Sequence, residues 1–406
     1  MDSLPDIAGF DISVVPPAFH DDPYPWYAAL REQAPRHRMP NGSIFLTRHA
    51  DLIACYRDPA ASSDKRVEFA PKFGQSPLFE HHTTSLVFND PPLHTRVRRL
   101  IMGAVNQRAI TRMQPGLTAL VDRLLDAMAA RGRVDLIGEF AAAIPIDVIG
   151  NLLAIPVPER APLRNWSLAI LGALEPAPDA HALAWGNESV TEFSAYLRDL
   201  IATRRRHPLN PDEDVLSRLI LGESADGERL TEYELIHQCI FLLNAGHETT
   251  ANLIGNGLWL LMQHPGEQQR LRDDMGLLNR AIEEMLRFEG PIQLNNRRLL
   301  SASEIGGERF EAGTLMTLCI GAANRDPAEF EQAERFDVAR HPNRHVAFGH
   351  SDHACVGMNV ARAEGRIAIG RLLDRFARIE PDGEPERDRR VRFRGFRRLP
   401  VRVSAR

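Results

Sequence analysis

Cysteine is scarce in this chain, and its composition reaches no extreme. Cys55, Cys239, Cys319 and Cys355 are the four cysteines of 406 residues, with neither a pairing rhythm nor zinc-ligand spacing. That excludes a disulfide-stapled framework and suits a reducing cytoplasmic setting. No apolar run approaches the roughly 20 residues that a helical membrane span needs. The opening MDSLPDIAGFDISVVPPAF carries acids and prolines instead of a basic segment followed by an apolar one. Neither a membrane anchor nor a secretory leader is therefore expected. A net charge of −5 is too small in magnitude to point to nucleic acid as a partner. There is no repeat, low-complexity tract or linker, so we expect a single domain over 1–406, with 1–20 as an irregular arm.

An apolar content of 44% supplies ample core material, and its periodicity is mostly helical. A short helix is expected at Pro25–Gln33, a strand at Ser43–Thr47, and loop with at most a short helix over 61–89. Asp90-Pro91-Pro92 reads as a helix start, with prolines in the first turn. Helical runs follow near 94–105, 115–131, 139–153, 159–173, 181–206 and 212–221. Thr231 and Glu234 form a capping box for a helix reaching Gln263, roughly 50 Å long. Further helices are expected at 267–274, 278–288 and Met358–Ile379, short strands over 292–320, and a terminal arginine-rich hairpin over 390–404. The fold class is mostly α with a small β portion. Arginines concentrate in 96–112, 204–206 and 386–398, which solvated faces explain for the most part.

Phe348-Gly349-His350-Ser351-Asp352-His353-Ala354-Cys355-Val356-Gly357 places one cysteine in a glycine-punctuated loop just before a helix. Backbone N–H groups there would stabilise a thiolate, a good soft ligand for iron. A buried free thiol explains the loop alone equally well. Inside the long helix, Ala245-Gly246-His247-Glu248-Thr249-Thr250 breaks helix preference. Such rule-breaking is tolerated irregularity or a functional site; chemically it offers an acid–alcohol pair that moves protons through water. Glu284 and Arg287 share a helix face, although Glu283 stands four before Arg287 and competes for it. His94 and Arg98 also share a face and suit two anionic carboxylates, or simply solvent.

Jointly these motifs resemble the cytochrome P450 family, over about residues 20–404. Phe348, Gly349, His353, Cys355 and Gly357 match its F-G-x-G-x-H-x-C-x-G loop; the acid–alcohol segment, Glu284/Arg287, Asn324-Arg325-Asp326-Pro327 and Glu334-Arg335-Phe336 match its other signatures. The resemblance implies haem b with Cys355 as iron ligand. It implies propionate contacts from His94, Arg98, Arg297 and His353, with Arg298 a rival to Arg297. Glu284, Arg287 and Arg335 would form a buried triad, and Glu248 and Thr249 would guide protons for O–O cleavage. Two departures stand out. Ser351 replaces the second loop glycine and fits if its φ stays negative, giving slightly altered geometry and unimpaired ligation. Ala333 replaces a proline and changes little.

Family register also places Val87, Phe88, Phe241, Asn244, Ala245, Thr249 and Asn295 along a pocket for a small hydrophobic substrate. Asn244 and Asn295 would offer it a hydrogen bond, or instead satisfy backbone or water. Arg96, Arg99, Arg108 and Arg112 would steer an acidic ferredoxin, itself served by a reductase, with a flavodoxin-type donor as alternative. The implied activity is O2-dependent monooxygenation. A peroxide-driven relative and a non-catalytic haem sensor are the rivals; the intact Glu248–Thr249 pair argues against the first, and the second predicts no use for that pair and no substrate-induced change in iron spin state.

Overall fold

Thr231 starts the helix around which the rest is built. Its hydroxyl accepts from the Glu234 N–H at 3.2 Å, and the Glu234 carboxylate accepts from the Thr231 N–H at 2.9 Å. The two reciprocal bonds satisfy donors that a helix end otherwise strands. The structure is a computed structural model describing residues 5–211, 214–222 and 229–405. In it the helix runs unbroken over Glu232–Gln263 and is buried along most of its length. Helices Ala143–Leu152, Leu163–Gly172, Ala180–Arg206, Leu278–Phe288 and Met358–Arg375 pack against it. Gly246 permits one of these contacts, because a Cβ there would lie 2.6 Å from Ile149 Cδ1 of Ala143–Leu152. Close helix approach therefore accounts for this glycine.

A five-stranded sheet flanks the helices, in the order Arg36–Arg38, Ile44–Leu46, Leu315–Cys319, Leu294–Leu299, Ala61–Ser62. Within this sheet the Ile44–Leu46/Leu315–Cys319 pairing is parallel and the others are antiparallel. Smaller sheets complete the mostly α architecture, a single domain with a long central helix.

Several expected boundaries move. Segment 61–89 holds two helices, Arg66–Phe73 and Pro77–Thr84, the second capped by Ser76, whose hydroxyl accepts from the Phe79 N–H. Pro91 and Pro92 precede a helix that spans Leu93–Ala104, and the Asp90 carboxylate accepts from the Ser63 N–H at 2.9 Å instead of capping it. The next helix covers Gln107–Arg131, beginning at the Asn106 cap and running through Pro115. Met358–Arg375 gives way to a strand, Phe376–Pro381, four residues before the expected end at Ile379. No hairpin spans 390–404. Phe396–Arg398 pairs with Glu386–Arg387, whereas Pro400–Ala405 lies between Arg133–Asp135 and Phe376–Pro381. Buried Leu399, donating to Asp135 Oδ1 at 2.9 Å, separates the two pairings.

Arg389, Arg397 and Arg398 keep the expected solvated face, whereas the other four arginines of 386–398 depart from it. Arg387 and Arg394 pair with buried Glu289 at 3.0 and 2.5 Å, and Arg390 with Glu248. Arg392 donates to Leu174 O, Leu294 O and Asn296 Oδ1. Interior acids and carbonyls draw these side chains in, since a buried cation needs them.

Candidate active site

The Cys355 N–H donates to Phe348 O at 2.8 Å, and the Gly349 N–H to Val346 O at 2.9 Å, folding the loop back on itself. Gly349 has φ +69°, a conformation that favours glycine. Ser351 has φ +59°, so the expectation of a negative φ is wrong: the serine adopts the conformation a glycine would. Its hydroxyl lies 3.0 Å from His350 Nδ1, and its carbonyl accepts from the Ala354 N–H. The Cys355 thiol is raised in pKa by burial, opposed by the Gly357 backbone N–H and by Arg98 and Arg362. Gly357 precedes the first residue of Met358–Arg375, so the cysteine sits at that helix's N-terminus.

Beside this loop, four donors from three parts of the chain converge. His94, from Leu93–Ala104, stacks on His353 with ring centroids 3.9 Å apart. Burial depresses both imidazoles, assisted at His94 by Arg98 and at His353, which falls to about 3, by Arg297. Arg297 is buried over the Tyr56 ring and donates to Asn296 O at 2.9 Å. Arg298 is turned away, paired with Glu68 and bonded to Gly313 O. Buried His94 Nε2 has no hydrogen-bond partner among the described residues.

On the central helix, Ala245 is exposed although the residues around it are mostly buried, and Phe241, Gly246 and Thr249 are half-buried. A hollow therefore opens against this face. Phe241, Phe88, Ile292, Phe393 and Val356, the neighbour of Cys355, belong to one apolar cluster. Thr249 Oγ1 donates to Ala245 O at 2.6 Å, the back-bond expected of a mid-helix threonine. Glu248 is buried and ion-paired with Arg390. The segment carrying half-buried Val87 is tied down by Gln238, which accepts from the Leu86 N–H at 3.1 Å and donates to Thr84 O at 2.6 Å. Asn244 is buried, with Nδ2 3.3 Å from His81 Nε2. Asn295 accepts from the Asn296 N–H at 2.8 Å and from Arg297 at 3.3 Å. The two asparagines thus lie in different settings, one between helices and one beside the arginine.

Glu284 and Arg287 form a fully buried bidentate pair at 2.7 and 2.8 Å. The third side chain on this carboxylate is Arg340, with Nε at 3.0 and 3.1 Å, and not Arg335. Arg335 is exposed and contributes its carbonyl to Arg287 and Arg340. Ala333 serves through its carbonyl too, accepting from Arg287 at 2.8 Å, so loss of a proline ring there leaves the contact intact. Glu283, the competing acid, instead takes His345 at 3.1 Å and Arg362 at 2.7 Å; these bonds outweigh burial and hold it down at about 2. Sequence reasoning missed His81, Gln238, Arg340 and Arg390, whose partners lie far away in sequence or, for Arg340, beyond a matching motif.

Residues 181–402 match the family model described as Cytochrome P450. Cytochrome P450 107B1 of Saccharopolyspora erythraea is 39% identical over 99% of this chain and 99% of that protein. Vitamin D(3) 25-hydroxylase of Pseudonocardia autotrophica is 36% identical over 96% and 95%. The crystal structure of P450BioI, in complex with a fatty-acid-loaded acyl carrier protein, superposes with TM-score 0.90 at 32% identity, covering 95% of this chain and all of that one. This chain belongs to the cytochrome P450 family and is a haem-thiolate monooxygenase.

Proposed function

We propose that Cys355 ligates the iron of haem b, with His94, Arg98, Arg297 and His353 holding its propionates. The observation that carries this reading is the convergence of four cationic or donor groups around a buried His94 nitrogen with no partner among the described residues. Such a cluster fits a dianion, because like-signed groups brought together out of water need a counter-charge. Phe348, Gly349 and Gly357 shape the ligand loop. When bound, haem supplies O2 activation, to which a thiolate ligand donates electron density. Arg297→Leu is expected to lower the haem-to-protein ratio of purified enzyme at least twofold while Arg298→Leu leaves it unchanged. Equal ratios would remove Arg297 from the cradle.

The chain's own residues then do three things. Val87, Phe241, Ala245 and their apolar neighbours bind a small hydrophobic substrate and exclude water; relatedness to an enzyme named for vitamin D(3) supports that substrate class. Thr249 holds a hydroxyl at the open face, and Glu248 supplies protons. Asn244 and Asn295 contribute polar contacts to the substrate side. Exposed Arg99, Arg108 and Arg112 form the face for an acidic ferredoxin working with its reductase, a setting in keeping with a cytoplasmic enzyme. Arg96 is committed to Glu234 and Arg229 O and is left out of that face.

A further inference from the structure

Glu248 is only 2% exposed, so its protons must arrive through a neighbour. One guanidinium nitrogen of Arg390 touches both Glu248 Oε1 and, at 2.5 Å, Asp388 Oδ2. Side-chain exposure rises outward along this chain, from 3% at Glu248 through 12% at Arg390 to 33% at Asp388. The Arg390 N–H donates to Asp388 O at 2.8 Å, and the Asp388 N–H to Gly395 O at 3.2 Å, so a turn keeps the two side chains together. Arginine does not release a proton in this range; a carboxylic acid does.

We propose that Asp388 is the solvent-side proton entrance to Glu248 and that Arg390 is the positioning residue that couples them. The inference rests on the reading of Glu248 as proton donor. In the step, the O–H bond of protonated Asp388 breaks, an O–H bond forms on Glu248, and the Asp388 carboxylate is reprotonated by hydronium or buffer acid from bulk solvent. Negative charge moves from one carboxylate to the other while both remain against the same cation, which keeps the cost of transfer low. Burial and Glu175 push the Asp388 carboxyl up to about 6, against Arg397, so it is protonated for part of the time near neutral pH. Among the described residues, Arg390, His247, Glu175 and Arg397 are the other titratable groups at this point, with Glu175 acting on Arg390 as well as on Asp388, and Arg164 acting on His247.

The test uses holoenzyme with a plant-type ferredoxin, its reductase and NADPH, and lauric acid as probe substrate. Glu248→Gln, Asp388→Asn, Arg390→Gln and Arg390→Lys are compared by electron consumption, solvent deuterium isotope effect and pH profile. Asp388→Asn is expected to slow consumption about tenfold, enlarge the isotope effect and flatten the decline expected of native enzyme as pH rises through about 6. Arg390→Lys is expected to restore part of what Arg390→Gln loses. Independently of turnover, the infrared carboxyl band of Asp388 is expected to titrate about one pH unit lower in Glu248→Gln, where the neighbouring negative charge is gone. If Glu248→Gln alters turnover while Asp388→Asn leaves rate, isotope effect and pH profile native, the entrance lies elsewhere. If Glu248→Gln itself changes nothing, the reading of Glu248 falls, and this inference with it.

Discussion

Ser351 holds a left-handed backbone in the loop that carries Cys355, a conformation costing a non-glycine residue about 1 kcal/mol. Ser351→Gly should therefore raise the thermal midpoint by about 1–2 °C, whereas Ser351→Val should lower it; differential scanning calorimetry of the two variants decides. Glu364 is buried in Met358–Arg375 with Oε2 unpartnered among the described residues, and burial raises its carboxyl to about 8. A folded-state value above the unfolded one means stability is fully present below about 4.5 and is lost as pH rises toward about 8. Glu364→Gln should weaken that decline, read as thermal midpoints between pH 5 and 9. An unaltered pH dependence would show that this carboxyl does not set it. Arg335 and Arg340 mark the limit of motif reading at this scale. The segment 334–336 matched its signature, yet the cation that reaches Glu284 comes five residues later, because burial selects the arginine that turns inward. Arg340→Ala should destabilise the protein by about 2 kcal/mol and Arg335→Ala by less than about 0.5 kcal/mol. Denaturant midpoints of the two variants check this contrast.

Elements were legible where their signals were local. The Thr231 capping box and the Ala180–Arg206 and Leu278–Phe288 periodicities each lie within one stretch of chain, and each helix begins within about a residue of expectation. Segment 61–89 was not legible, because its two helices are only eight residues each and are stabilised by packing with each other and with distant helices. The terminal strands failed for the same reason: their partners, Arg133–Asp135 and Phe376–Pro381, cannot be chosen from alternation alone. The Leu93–Ala104 helix and the start of Gln107–Arg131 carry exposed Arg99, Arg108 and Arg112 together with exposed Met102. Arg108→Glu with Arg112→Glu should slow reduction by an acidic ferredoxin about tenfold at low ionic strength and flatten its salt dependence. Stopped-flow reduction gives both quantities, and native rates would rule out this docking face.

For the molecule as a whole, contacts across long stretches of sequence complete what the motifs begin. His81 and Asn244, 163 residues apart, join the Pro77–Thr84 helix to the central helix, and Glu248 finds Arg390 in the C-terminal segment. The contiguous signatures, by contrast, identify the fold class and the cysteine loop without reference to any partner. The proposed function turns on Cys355, at a helix N-terminus beside the His94–His353 cradle, binding haem iron as a thiolate. Its most direct test is the carbon monoxide difference spectrum of dithionite-reduced enzyme. A band at ~450 nm, the mark of thiolate ligation, is expected, and it should disappear in Cys355→Ala. A fully reduced, haem-loaded protein lacking that band, or retaining it in Cys355→Ala, would contradict the claim.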